Sequence, residues 1–567
     1  MNIPARIDRL NRLLVRQKVK LEALQGRRLI FGLATFALIL ASQMAKGLYL
    51  ELVAILVMLP LFAIYYRASK GRQSLMVNLE DLKRFYERQK DLFEGKATGK
   101  KDVDEFANPY LARDLDWDEL FPSIDQSFTR QGSLLLNEWI CGLANHQNIE
   151  ERQKACCELT QFSGSLRRLQ MPDSQRKIDL NTLRKELQRS FFEKPIPWKW
   201  ALPIFWLITF ALLLTHAPSI LWKTSLMIYM TGTLFYLSET RNVFSRLQDL
   251  YLDLNELMPK VRRMQSLSQN LSFCPHLKSA EPYSDMKKFT SMISLMSVKA
   301  NPVIFYLLNI LIPWTFLLTE RSEKMRSQVS EHFEHWSKEV ALIEALGSLA
   351  NLAIYQDTCW PKVSNRLSFQ GISHPLLDQR KVIKNDFDQG EIHKVFILTG
   401  SNMSGKSTFL RAIGINFCLA KAGGPVFAQS FAFPDLALAS CICVSDSLRD
   451  GQSYFYAEVK RLKWILNEAK KSSVLFLIDE PLRGTNNQER LKGNQSYLEQ
   501  MLATGSIGFM STHDLELTKL SETDPAVENF HFSEEWKNED LYFDYKIQSG
   551  PSTSTNALKI LHKEGLY

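Results

Sequence analysis

The stretch LTGSNMSGKSTFLRAIG, starting at Leu398, sets Gly400, Gly405, Lys406 and Ser407 at the spacing GxxxxGK[ST]. This spacing suits phosphate. Glycines let consecutive backbone N–H groups turn inward, the lysine ammonium reaches the β and γ phosphates, and the next hydroxyl ligands Mg²⁺. The cradle expected from it comprises Gly400, Ser401, Asn402, Met403, Ser404, Gly405, Lys406, Ser407 and Thr408. Farther on, SVLFLIDE (Ser473 to Glu480) closes an apolar run with two carboxylates. Asp479 is placed to hold Mg²⁺ together with Ser407, and Glu480 to polarise an attacking water as general base. A third run, SIGFMS (Ser506 to Ser511), leads into Thr512, His513 and Asp514. His513 can donate to the γ-phosphate region in either neutral tautomer. The chemistry expected of this set is hydrolysis of ATP with Mg²⁺, with Lys406, Glu480 and His513 at the reacting end.

Buried strands must deliver these groups. KVFILT (Lys394 to Thr399) is a short, apolar, β-branched run, and SVLFLIDE and SIGFMS are short apolar runs, as parallel strands covered on both faces should be. STFLRAIGINFCLAKA follows the loop with helical periodicity. The expected fold is therefore an α/β P-loop ATPase domain at the carboxy-terminal end of a long helical chain.

The chain has 567 residues, 45% hydrophobic and 23% charged, with a net charge of +8. That length implies several domains, and the composition argues against disorder. A mildly basic balance permits nucleic acid or anionic lipid as partner and establishes neither. None of the eight cysteines forms a paired CxxC set with metal spacing, so reduced thiols are expected.

Four apolar runs read as two membrane hairpins: Leu29 to Ala45 with Leu48 to Tyr66, and Ala201 to Ala217 with Ile220 to Leu237. As helices the first two would be about 26–28 Å long, close to the hydrocarbon core. Arg and Lys flank the first hairpin on both sides, which puts both flanks, and the ATP loop after them, on the cytoplasmic side of the membrane. A fifth run, Pro302 to Leu318, would carry the ATP loop outside if it crossed; with Asn309 and Pro313 near its middle it is expected to be a core helix. Ahead of the first span, residues 1–28 carry a stripe of Ile7, Leu10, Leu14, Leu21 and Leu24 that suits a coiled coil or a basic amphipathic helix on the inner leaflet.

TGSNMSGKST, with its Asn-Met pair inside the loop, resembles the ATPase of MutS mismatch-repair proteins. GISHPLL (Gly371 to Leu377) with Asn385, DGQSYFYAEVKRL (Asp450 to Leu462), DEPLRGTNNQER, STHD and the closing YKIQSGPSTSTNALKILHKEGL are similar to that family's other ATPase motifs. Upstream, Thr129, Gly132, Leu136, Trp139, Ile149 and Arg152 resemble the start of its helical core. The resemblance implies a composite site in which two subunits meet head to tail and Ser453 of one reaches the γ-phosphate held by the other, hence a homodimer. It departs where the family's mismatch-reading domain and DNA clamp should be. Phe85-Tyr86-Glu87 matches the mismatch wedge only in its letters, and the second membrane hairpin stands in the clamp's place. The sequence is similar to membrane-bound, shortened MutS relatives of bacteria.

The domains expected are a basic amphipathic helix (1–28), membrane hairpin 1 (29–66), a cytoplasmic helical linker (67–123), the first part of the helical core (124–200), membrane hairpin 2 (201–237), the second part of the core (238–370) and the ATPase domain (371–567). The resemblance implies a membrane-anchored dimer that uses ATP to clamp and release DNA, with Arg241, Arg246, Lys260, Arg262 and Arg263 as candidate phosphate contacts. The second reading is a regulatory ATPase that acts on a membrane protein partner without DNA.

Overall fold

The computed structural model describes residues 3–45, 59–96, 106–141, 148–170, 177–192, 197–279, 281–295, 302–392, 394–401, 403–443, 454–537 and 540–552. Two sheets form the carboxy-terminal part. The smaller joins β1 (Lys362–Val363), β2 (Ser368–Ile372), β3 (Asn385–Asp388) and β5 (Ser430–Phe433) in the order β1-β5-β2-β3. The larger joins β4 (Val395–Thr399), β6 (Ala437–Cys441), β7 (Val474–Asp479), β8 (Ile507–Ser511), β9 (Val527–Lys537) and β10 (Asp540–Ser549) in the order β10-β9-β4-β8-β7-β6. All its pairings are parallel except the β9–β10 hairpin. Every residue of β4, β7 and β8 is buried, which explains why their sequences read as unbroken apolar runs.

Helices fill the rest. An antiparallel pair, α1 (Ile3–Ala45) and α2 (Leu59–Phe93), is zipped by Arg6 to Tyr86, Arg72 to Gln17 and a Phe31–Tyr65 stack. Ile3 and Leu10 pack with Phe85, Tyr86 and Tyr355. Ile7 and Leu10 of the amino-terminal stripe thus pack in a helix-pairing face, and Phe85-Tyr86 is buried core. The helical core contains α3 (Arg130–Cys141), α4 (Ile149–Thr160), α7 (Arg241–Ser268) and the 42-residue α9 (Trp314–Tyr355). Between them stand α5 (Ala201–Leu214), α6 (Ser219–Glu239) and α8 (Pro302–Leu311).

The residues that resemble the start of a MutS core have physical jobs here. Glu344 of α9 accepts hydrogen bonds from the Phe128 and Thr129 N–H groups at 2.6 and 2.9 Å and from the Thr129 hydroxyl. A Cβ at Gly132 would lie 2.6 Å from the same carboxylate, so that position must be bare. Arg152 lies over the Trp139 ring and donates to the Lys421 and Ala422 carbonyls at 2.8 and 3.2 Å, joining core to ATPase domain.

Two expectations need correction. Residues 302–318 are not one core helix. The run breaks at Ile312-Pro313 into α8 and the start of α9, and Ile304, Leu307, Ile310 and Leu311 are 45–59% exposed. Of the four expected spans, only Pro197–Leu214 stands out among the described residues as a helix long and apolar enough to cross a membrane. In α6, Lys223, Thr224 and Ser225 dilute the apolar run, and much of Leu48 to Tyr66 lies outside the described residues.

Candidate nucleotide site

β4 lies between β8 and β9, and the loop after it opens at the carboxyl ends of the parallel strands, where α/β sheets gather their ligands. Gly400 and Gly405 take φ of 140° and 106°, angles that side chains resist, and so let the loop wrap back on itself before α10 (Lys406–Lys421) begins. Lys406 is buried, and its Nζ donates to the Gly400 and Ser401 carbonyls, both at 2.8 Å, with Glu480 3.6 Å away. Burial pulls the lysine below its ordinary pKa, against the raising pull of Glu480 and Asp479.

The Ser407 hydroxyl donates to Asp479 Oδ2 at 2.6 Å, and Ser511 donates to the other Asp479 oxygen. Glu480 sits just past the end of β7 at φ 45°, a left-handed conformation that costs a non-glycine residue on the order of 1 kcal/mol and turns its carboxylate off the sheet axis. Its N–H donates to Ser511 Oγ at 3.0 Å. Its carboxylate meets His513 Nε2 at 2.6 Å and Arg483 Nη2 at 3.1 Å. Burial pushes Glu480 up, but the His513 hydrogen bond and the charges of His513, Arg483 and Lys406 outweigh it and hold the group below the usual carboxylate range.

A cavity of about 680 Å³ opens beside the loop, with the loop on one side and Ser373, His374, Asn385 and Tyr545 among the facing residues. The residues fit a nucleotide with its metal. Ser404 Oγ is buried in the loop with no partner among the described residues, Lys406 is spent on its own loop's carbonyls, and a hydroxyl and a carboxylate stand in direct contact where a hard cation takes oxygen ligands. Burial pushes His374 down to about 4, so it lines the cavity as a neutral ring.

The structure brings together the expected Gly400, Ser401, Met403, Ser404, Gly405, Lys406, Ser407, Thr408, Asp479, Glu480 and His513. Met403 is 85% exposed at the loop's outer edge. Asn402 and Ser453 lie outside the described residues. Of the candidate DNA contacts, Lys260 is corrected: it is buried with its ammonium 4.4 Å from the Phe128 ring centroid, out of reach of a duplex. Arg246 is tied to Glu186 and the Ser190 carbonyl, Arg263 donates to the Arg168 carbonyl, and Arg262 lies over Tyr283. Nothing is described of the Arg241 side chain.

Sequence reasoning missed Ser511, which fixes both Asp479 and the Glu480 backbone, and Glu534, which receives the Ser401 hydroxyl. Tyr545, the first residue of the closing motif, packs 3.2 Å from where a Gly405 Cβ would stand, a contact that the motif alone did not place. Ser511 carried a signal, as the last residue of a strand beside the acidic one; Glu534 carried none.

A family model described as MutS domain V matches residues 396–566. MutS protein homolog 4 of Mus musculus is 31% identical over 246 residues, 41% of this chain and 26% of that protein. The DNA mismatch repair protein MutS of Thermotoga neapolitana is 31% identical over 218 residues, 38% of this chain and 27% of that protein. The same-named protein of Thermus aquaticus is 27% identical over 259 residues, 44% and 31% of the two chains. The chain thus spans less than a third of the length of these relatives. The strand–loop–helix with Lys406, the carboxylates that end β7 and the histidine after β8 all fall inside the matched stretch. Over residues 396–566, the chain carries a domain of the MutS family.

Proposed function

We propose that the protein is a membrane-anchored MutS-type ATPase that binds and hydrolyses ATP with Mg²⁺ as a homodimer and uses the cycle to hold and release DNA. The observation that carries the ATPase reading is that Lys406, Ser407 and Glu480 line one cavity, with Asp479 bonded to Ser407 and His513 to Glu480 just behind them. Ser407 and Asp479 would hold Mg²⁺, which would supply charge neutralisation at the phosphates. The chain supplies the rest. Lys406 exchanges two loop carbonyls for phosphate oxygens. Glu480, held ionised, accepts a proton from water, while His513 and Arg483 fix its two oxygens.

The DNA reading is supported by the relatives' names and by exposed Arg262 and Arg263 on α7. Dimer completion by Ser453 rests on the motif in which it stands. Anchoring at the inner face of a bacterial membrane is supported by Pro197–Leu214 and by the basic residues beside the apolar runs. The test is ATP turnover and DNA binding by the full chain in detergent, across duplex, mismatch and junction substrates and a range of salt. Salt-dependent binding that ATP shifts is expected. Turnover indifferent to every DNA, with no binding at low salt, removes DNA from the reading. Mixing Ser453→Ala with Lys406→Ala chains tests the shared site: activity different from the sum of the two alone is expected, and simple addition overturns it.

A further inference from the structure

The apolar run that breaks at Ile312-Pro313 is built against the second hairpin. The order of its contacts is informative. Glu320 pairs with Lys199 at 2.7 Å, Thr319 meets the Tyr236 hydroxyl at 2.6 Å, and Phe316 stacks edge-on against Trp200. Farther back along the run, the Asn309 carbonyl accepts the Tyr229 hydroxyl at 2.5 Å and the Ile310 carbonyl accepts Trp206 Nε1 at 3.3 Å. Tyr229 is seven residues from Tyr236, about 10 Å deeper along α6. The break therefore lies well inside the apolar bundle, and the charged pair lies at its mouth.

Broken helices leave backbone groups without partners, and in water the solvent fills that need. Here side chains fill it. Asn309 Oδ1 accepts from the Thr315 N–H at 3.1 Å, Asn309 Nδ2 donates to the Phe305 carbonyl at 2.9 Å, and Ile312 N–H closes on Leu308 at 2.9 Å. Pro313 has no N–H to satisfy. Two of the last carbonyls of α8 are capped by Tyr229 and Trp206 from the hairpin. Hydroxyls in the hairpin do likewise, with Thr209 and Ser225 bonded to each other at 2.8 Å. This is the pattern that a hydrocarbon solvent demands of irregular backbone.

What faces outward from α8 is apolar: Ile304, Leu307, Ile310 and Leu311 continue the exposed surface of Leu207, Phe210 and Phe235 on the hairpin. A continuous face of this kind is not left to water. Both ends of the run return to one body. The preceding helix, Glu281–Leu295, buries Met286 and Phe289 in the same core as Phe333 and Trp336 of α9. The run has 10 helical residues before its break, about 15 Å, half of a hydrocarbon layer.

We propose that residues 302–318 dip into the same lipid layer as α5 and α6 and leave on the side they entered, as a re-entrant broken helix whose outer face contacts acyl chains. The proposal rests on the membrane anchoring given above and extends it to a segment that no span count includes. The test places single cysteines at His216, Lys324, Leu307 and Leu311 in the full chain. Membrane-impermeant maleimide is applied to right-side-out and inside-out native vesicles, and labelled peptides are located by mass spectrometry. Ile304→Cys replaces either leucine variant that does not accumulate in membranes. Lys324→Cys should label from the ATPase side and His216→Cys from the other. Leu307→Cys and Leu311→Cys should label from neither, at least ~10-fold slower than Lys324→Cys, until the membrane is dissolved and the chain denatured. Labelling of both leucine variants from the ATPase side at the Lys324 rate, with His216 still on the far side, overturns the re-entrant segment alone. Their labelling from the far side makes the segment a full crossing and overturns it too. His216→Cys labelled from the ATPase side overturns the anchoring itself.

Discussion

The nucleotide cavity and the helical half of the molecule both bury polar groups, and they satisfy them in opposite ways. Around the cavity the partners are provisional. Lys406 donates to its own loop, Ser407 to Asp479, and Glu480 is shared among Lys406, His513 and Arg483. Each of these contacts can be exchanged for a phosphate oxygen, a metal or a water. At two buried groups of the helical half the partners enclose the group. Glu344 is held by Phe128 and Thr129, and Asn309 by backbone on both sides of a break. Beside the cavity the charges stand in pairs that a ligand can replace, whereas these two groups are closed by the fold itself.

The comparison breaks most readily at Glu344. Burial raises its pKa to about 8, against the hydrogen bonds from Thr129 and Phe128 that lower it. The folded chain thus holds a proton that the unfolded chain gives up near pH 4.5. Stability from this group is present below that pH and is lost as pH rises to about 8, on the order of 5 kcal/mol in total. Thermal unfolding across that window should steepen the loss in the parent and flatten it in Glu344→Gln; equal slopes would show that the carboxyl is ionised in the fold. Next is Glu480→Gln, which should retain ATP binding and lower turnover by roughly 10²–10⁴-fold. Near-normal turnover would remove Glu480 as the base.

His374 sharpens the contrast with the opposite sign. Its folded pKa of about 4 lies below that of the unfolded chain, so stability is present above about pH 6.5 and lost as pH falls towards 4, by roughly 3 kcal/mol. His374→Asn should remove that acid limb in a pH series of melting temperatures, and an unchanged limb would place the proton elsewhere. Asn309→Ala strips the break of two hydrogen bonds and should cost about 1–3 kcal/mol in detergent. Tyr236→Phe removes one partner from Thr319, which keeps its bond to the Thr315 carbonyl at 2.9 Å, and should cost only ~1 kcal/mol. If these last two reverse in size, the break is not the closed element described.

What the sequence disclosed follows from distance along the chain. The phosphate loop was legible because its parts are consecutive, and the carboxylates and His513 because they stand at or just past the ends of buried strands. Ser401 with Glu534, and Gly405 with Tyr545, are more than 130 residues apart and meet only through the β9–β10 hairpin. Lys260 misled because a lysine is seldom buried, yet a ring and a helical core enclose this one. The 302–318 run misled because apolarity alone does not say where a helix breaks. Asn309 and Pro313 mark the break, and Asn309 satisfies backbone groups on both sides of it.

One helix, α9, starts at Trp314 beside the apolar bundle and ends at Tyr355, four residues before Cys359 pairs with Val426 of the ATPase domain. At 42 residues it is a rod about 63 Å long. A tilt of only about 5° at one end sweeps the other through about 5 Å, roughly one helical turn. The angle of this rod is therefore a gauge in which small rearrangements beside the cavity and small shifts in the apolar bundle would register on the same scale.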